Sequence, residues 1–235
     1  MKILLLANQP ESTTRLQLFR ETLIELGYEV VVPSFGTRNW IAIARASRSL
    51  IAAERPDLVH LFNVPDIIYR TIPSLKGSLF HHLIYDYRSP WGIEYQMNFG
   101  RIGKIAAEHY EEKLARSADL ITTVNTPLKE KVQAYLPESR EVHIIPNYPK
   151  QSFLSLDIRD ATSGVSRKPV LFVGRVCKQE GIENFIQAAR EIPEQDFWIV
   201  GDGPFSWFYL IHQPVNLTFF GWQAHEAVAG FIRKA

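Results

Sequence analysis

A single cysteine, Cys177, is all the sequence offers, so no internal disulfide framework can staple the chain, and a reducing, cytoplasmic setting is expected. Long hydrophobic runs are missing too. The apolar stretch from Ile3 to Ala7 is strand-length, far below the ~20 residues that span a bilayer. Met1-Lys2 leads straight into it, which does not read as a signal peptide. Charge of one sign is also scarce: 26 Lys and Arg stand against 25 Asp and Glu, a net charge of +1. No global field therefore recruits nucleic acid, and anion binding has to come from local sites. There is no P-loop, no Gly-x-Ser-x-Gly elbow and no His/Cys/carboxylate cluster at metal-ligand spacing, so no metal site is expected. What remains is a globular composition, 46% hydrophobic and 22% charged, in 235 residues. That exceeds one typical domain and is short for two complete α/β domains.

Within that composition, short apolar runs alternate with longer helical patterns, the signature of parallel βαβ units. Residues 2–7 are apolar nearly throughout, as in a strand buried on both faces. Ser12 or Thr13 can cap a helix carrying Leu16, Phe19, Leu23 and Leu26, which Gly27 ends. Strands follow at 28–32, 57–62, within 78–87, at 118–124 and at 141–145, with helices at 39–54, 102–116 and from Thr126-Pro127. Pro146, Asn147 and Pro149 stop this rhythm, and a polar, turn-rich stretch reads as a linker. A fresh series then places strands at 169–174, 196–201 and 216–220 and helices at 183–191 and 226–234. The expected organisation is an α/β Rossmann-like domain over 1–150, a linker over 151–168, and part of a second such domain over 169–235. Three strands make about half of a doubly wound sheet, so an open apolar edge is expected in the second domain.

Open parallel sheets bind ligands beyond the carboxyl ends of their strands, so the strand-to-helix loops are the candidates. In the second domain these are Gly174-Arg175 with Lys178 to Gly181, then Gly201-Asp202-Gly203-Pro204, then Gly221-Trp222. Each glycine fits plain turn chemistry, and the three together also fit a nucleotide or anion site with Arg175 as a diphosphate fork. In the first domain the richest loop runs from Asp86 through Arg88 to Trp91, Glu94 and Tyr95. Carboxylates and arginine bond sugar hydroxyls and aromatic faces stack on sugar rings; the alternative is that Asp86 pairs with Arg88 and Trp91 is core. His60, ending the third strand, reads as a buried histidine rather than a base. Arg38, Arg45, Arg48 and Arg55 line one side of the 37–55 helix, opposite Trp40, Ile43, Leu50 and Ile51. That fits peripheral contact with an anionic membrane, or an ordinary surface helix with solvated arginines.

In order along the chain, Arg55-Pro-Asp-Leu-Val-His60, Ala118-Asp-Leu-Ile-Thr-Thr-Val124, Ile144-Ile-Pro-Asn147, Pro169-Val-Leu-Phe-Val-Gly-Arg175, Phe197-Trp-Ile-Val-Gly-Asp-Gly-Pro204 and Leu217-Thr-Phe-Phe-Gly-Trp222 resemble landmarks of glycosyltransferase family 4. The family's retaining enzymes have the GT-B architecture, two Rossmann-like domains facing across a cleft. The resemblance implies a nucleotide-sugar as substrate, no required metal or cofactor, and a glycan or lipid-linked acceptor. Donor binding would fall to Gly174, Arg175, Lys178, Gly201, Asp202, Gly203 and Pro204, with Arg175 on the diphosphate. Acceptor binding would fall to Asp66, Arg88 and Trp91, with Asp86 ahead of Asp66 and His60 as catalytic base.

The chain departs from the family pattern at Glu180, where lysine usually precedes the glycine, and at Asn8-Gln9-Pro10, which replaces the glycine pair after the first strand; the family's Glu-x7-Glu element would lie beyond residue 235. The expectation is accordingly an inactive N-terminal portion of a transferase, joined in one scenario by a complementary chain. The alternative is a non-catalytic glycan-binding or regulatory subunit, and a nucleotide-sugar epimerase is a third reading.

Overall fold

The computed structural model describes residues 1–149, 168–203, 206–211 and 213–235. They fall into two compact units, Met1–Tyr148 and Pro149–Ala235.

In the first unit, β1 (Lys2–Leu6) sends alternate side chains into two apolar layers. Ile3 and Leu5 join Leu16 and Phe62 on one face, while Leu4 and Leu6 join Ile43, Ile51, Val59, Leu61 and Tyr85 on the other. A strand covered on both faces needs no polar alternation, which is why residues 2–7 read as one apolar run. β2 (Glu29–Val31), β3 (Leu58–Phe62), β4 (His82–Tyr87), β5 (Leu120–Thr123) and β6 (Val142–Ile144) complete a parallel sheet in the order β2-β1-β3-β4-β5-β6. α1 (Thr14–Glu25) covers the Leu5 face. α2 (Trp40–Glu54), α3 (Trp91–Ser117) and α4 (Thr126–Gln133) cover the Leu4 face. Strand order reverses between β1 and β3, the switch point at which such sheets open a crevice.

The second unit has β7 (Val170–Val173), β8 (Phe197–Val200) and β9 (Leu217–Phe219), parallel and in that order. α5 (Ile182–Glu191) packs Ile182, Ile186 and Ala189 on Phe197, Ile199 and Leu217. On the other face Trp198 meets Phe220 and Phe231, the latter from α7 (His225–Lys234); α6 (Ser206–Leu210) is a short helix between β8 and β9 in sequence. Among the described residues β7 pairs on one side only, and its Val170 and Val173 are exposed. The fold class is thus α/β with two Rossmann-like sheets, as the sequence rhythm implies.

Local details differ. α3 starts at Trp91 rather than near residue 102, because Gly100 (φ +65°, ψ −162°) interrupts the helical backbone and splits the periodic signal. α4 is capped by Asn125, whose side chain accepts from the Leu128 N–H at 3.0 Å; Thr126 is already inside the helix. Thr13 precedes α1 as expected, but its hydroxyl donates to the Gln9 carbonyl at 2.8 Å instead of capping. On α2, Asn39 caps two N–H groups, Ile43 and Ile51 are buried on the sheet, and Arg45 and Arg48 lie outside in solvent, an arrangement that both readings of this helix share. The linker expected over 151–168 lies, except for Lys168, outside the described residues.

Candidate functional site

β4 divides the polar side chains of the first unit between its two faces. Its alternation puts Asp86 on the α1 face and Tyr85 and Tyr87 on the other. On the α1 face, Asp86 sits in register with Phe62 of β3 and Thr122 of β5. Arg15 from α1 grips it with two bonds, Nε to Oδ2 at 2.7 Å and Nη2 to Oδ1 at 2.9 Å, and the Thr122 hydroxyl donates to Oδ1 at 2.6 Å. Arg15 spends Nη1 on the carbonyls of Ile145 and Pro146, at 2.7 and 3.2 Å. The Ile144-Ile-Pro-Asn147 motif is therefore the strap that α1 holds against the sheet. Asp86 is fully buried and Arg15 nearly so. Asp86 consequently pairs with Arg15, not with Arg88, and presents no exposed oxygen to a substrate.

His60 lies on the same face, stacked on Phe62 at 4.2 Å between ring centroids and edge-on to Phe19 at 5.0 Å. Its Nε2 is buried without a hydrogen-bond partner. Burial lowers its pKa to about 4, against the pull of Asp86 and with the push of Arg15 and Arg88, so the imidazole is neutral at physiological pH.

Asp66 belongs to the opposite network. Its Oδ1 accepts from Tyr85 Oη at 3.0 Å, and Oδ2 is buried with no partner. Burial, then the neighbouring Glu111, raises its pKa well above the ordinary carboxylate range. Glu111, buried on α3, accepts from the Gly92 N–H at 2.9 Å and from Tyr135 Oη at 2.8 Å, and burial raises its pKa as well. Asp66 and Asp86, candidates for one site in sequence, thus sit on different sides of the sheet.

The loops above the strands are tied by Asn63, where cis Asn63–Val64 and Val64–Pro65 bonds turn the chain. Asn63 Oδ1 accepts from the Arg88 N–H at 2.7 Å, its Nδ2 donates to the Ser89 carbonyl at 2.7 Å, and its own carbonyl accepts from Arg88 Nε at 2.8 Å. Arg88 also lies over the Phe62 ring. Trp91 is buried against Trp40 and Tyr95, so it gives core packing rather than a stacking face for a sugar. The open polar space lies nearby, a cleft of about 420 Å³ at the carboxyl ends of β1 and β2, lined by Asn8, Gln9, Glu11, Ser34, Thr37 and Arg38 among others. Asn8 Oδ1 is buried there without a partner. Sequence reasoning missed Arg15 and Glu111. Arg15 had a signal, since it stands four residues before Phe19 and so shares the inward stripe of α1.

In the second unit, the glycine loops do converge on one sheet edge. The Gly174 N–H donates to the Val200 carbonyl at 3.0 Å, the Gly201 N–H to the Gly221 carbonyl at 2.8 Å, and the Val176 N–H to the Asp202 carbonyl at 3.0 Å. Gly201 has φ +140°, and a Cβ there would overlap the Gly174 carbonyl oxygen; a Cβ on Gly203 would overlap that of Val176. Only glycine allows this approach. Asp202 accepts from the Gly203 N–H at 2.7 Å, and hydrogen bonds from Ser206 and Gly203 hold its carboxyl below its ordinary pKa. Arg175 is exposed beside this edge, with Nη2 3.3 Å from Glu180 Oε1. Lys178 is exposed in the turn before Gly181, which starts α5 in the left-handed conformation (φ +75°) with no side-chain cap. Pro204 lies outside the described residues. No group of three His, Cys, Asp or Glu among the described residues could hold a metal, and no helix among them is long and apolar enough to cross a membrane.

No protein-family model and no curated protein matches the chain. Solved structures do. Anabaena Alr3699/HepE, in complex with UDP and glucose, superposes over 95% of this chain and 70% of its own, with TM-score 0.58 and 18% identity. The lipopolysaccharide outer core galactosyltransferase WaaB, in its apo form, covers 100% of this chain and 72% of its own at TM-score 0.55 and 12% identity. UDP-GlcNAc 2-epimerase from Neisseria meningitidis, bound to UDP-GlcNAc, covers 100% and 76% at TM-score 0.62 and 11% identity. The chain has the GT-B-like fold that these structures share.

Proposed function

We propose that the chain is the acceptor side and nucleotide-binding edge of a retaining glycosyltransferase that draws its sugar from a nucleotide-sugar donor. The observation that carries this reading is the glycine edge of the second unit. There, the chain segments after β7 and β8 approach so closely that side chains are excluded at Gly201 and Gly203, with Arg175 beside them. A backbone-lined edge next to a planar guanidinium suits a diphosphate. Gly174, Gly201, Asp202, Gly203 and Pro204 would shape the donor pocket, with Arg175 and Lys178 supplying charge. Positive groups stabilise a departing nucleoside diphosphate electrostatically, chemistry in which no side chain need bond covalently to the sugar. A glycan or lipid-linked acceptor would use the polar cleft of the first unit. Asp86, Asp66, Arg88 and Trp91 would act beneath it by fixing α1, α3 and the 63–66 loop in place.

Titration of the chain with UDP by calorimetry tests this. Binding is expected, weakened about ten-fold or more in Arg175→Ala and strengthened in Glu180→Gln, which releases the arginine. Affinity unchanged in both variants would sink the assignment. A specific observation favours a second reading: Glu180 already partners Arg175. A non-catalytic glycan-binding subunit would bind glycan and ignore UDP. An epimerase would convert the sugar of its donor with no acceptor present.

A further inference from the structure

Two loops meet at the polar cleft beyond the carboxyl ends of β1 and β2, and hydrogen bonds hold each of them. After β1, the Thr13 hydroxyl donates to the Gln9 carbonyl at 2.8 Å and Gln17 Nε2 donates to the Pro10 carbonyl at 2.8 Å, with Pro10 itself buried. After β2, Thr37 Oγ1 accepts from the Asn39 N–H at 3.1 Å, and Asn39 in turn caps α2. The side chains that line the cleft therefore stand on fixed backbone and need little ordering to meet a ligand. The space of about 420 Å³ falls within the roughly 300–1,000 Å³ of small-molecule sites.

The two loops bring opposite chemistry. The β1 loop brings acceptors: Asn8 Oδ1 is buried with no partner, and a hydrogen bond from Ser34 lowers the pKa of Glu11 and keeps it ionised. The β2 loop brings Arg38, which is exposed and bound to no carboxylate among the described residues. Glu11 and Arg38 thus line one cleft without neutralising each other. Phe35, half-buried against the core, adds an aromatic surface. A buried acceptor without a donor is costly, so Asn8 favours a ligand that brings hydroxyl groups. A bare anion brings none and is repelled by Glu11, while a neutral sugar leaves the guanidinium unused. A sugar ring with an anionic group suits the whole lining, since hydroxyls donate to Asn8 and Glu11 and the anion takes the Arg38 fork. We propose that this cleft binds an acidic sugar residue, a pyranose carrying a carboxylate or phosphate, with Arg38 on the anion and Asn8 and Glu11 on ring hydroxyls. Resting on the transferase reading, this makes the acceptor an acidic glycan and Arg38 the residue that selects it.

Saturation-transfer NMR of the whole chain with methyl glucuronide, glucose 6-phosphate and methyl glucoside tests this without any sugar transfer. At least one acidic sugar should bind about ten-fold more tightly than methyl glucoside, and which one it is tells carboxylate from phosphate. Arg38→Gln, a change at an exposed side chain, should bind all three alike with thermal unfolding unchanged; Arg38→Lys, which keeps the charge, should recover part of the preference. Equal affinity for the three sugars, no binding of any, or a preference that survives in Arg38→Gln overturns the inference. So does displacement of the acidic sugar by acetate or inorganic phosphate at equal concentration, since the cleft would then be a bare anion contact. The outcomes stay separate from nucleotide binding: a chain that binds UDP without preferring acidic sugars loses this inference alone. One that prefers acidic sugars and ignores UDP keeps the site and loses the transferase reading.

Discussion

Arg15 and Asp86 show how a charge pair is committed by its surroundings. Both are out of water, and each uses most of its hydrogen-bonding capacity on the other and on Thr122 or the 145–146 carbonyls. Removing one member leaves an unpaired buried charge, so Asp86→Ala should cost roughly 3–5 kcal/mol in urea unfolding. A cost within a few tenths of zero would mean that the pair is not buried as described. His60 gives a pH signature. Unfolded, it takes a proton near its ordinary pKa of 6.5; folded, it refuses one until about pH 4. Between those limits folding must expel a proton, so stability falls as pH drops from 6.5 to 4, by about 3 kcal/mol in all. His60→Phe, which keeps the aromatic stack, should remove that part of the pH dependence. Asp66 works in the other direction. Its folded pKa is raised, so above about pH 4 folding must take up a proton, at a cost of roughly 1 kcal/mol per pH unit until the folded pKa is reached. Asp66→Asn should therefore stabilise the protein more at pH 8 than at pH 4.

Elements add constraints that no single residue carries. The β7 and β8 loops touch through backbone atoms, and Gly201→Ala should cost about 3 kcal/mol or more by forcing them apart. Gly221 also has positive φ (+68°), yet no atom lies within 4 Å of its missing Cβ, so Gly221→Ala should cost only about 1–2 kcal/mol. Equal losses of urea midpoint would contradict the close approach. At this scale the sequence was readable where one residue type reports one environment. Apolar runs gave the buried strands, and glycines past strand ends gave the loops of the second unit. It was unreadable where meaning depends on distant partners. Nothing local says that Asp86 is met by Arg15, 71 positions away, or that Tyr85, the residue before it, turns to Asp66 instead. The break at Gly100 hid the first turns of α3 because helical periodicity cannot be followed across a residue at φ +65°.

At the scale of the whole molecule, fold and function separate. The same two-sheet architecture aligns with a galactosyltransferase and with a sugar epimerase at similar TM-scores, so the choice rests on the site. At the candidate site the arginine of the glycine edge is already paired with a glutamate, and the first unit carries a polar cleft of its own. Net charge near zero adds no steering, so on the proposed reading nucleotide affinity would come from local groups at that edge. The most direct test is amide hydrogen exchange of the chain with and without UDP. Slowed exchange at 174–181 and 201–203, with the amides of Met1–Tyr148 unaffected, is the predicted result; protection confined to the first unit, or none at saturating UDP, would contradict a donor site at the glycine edge.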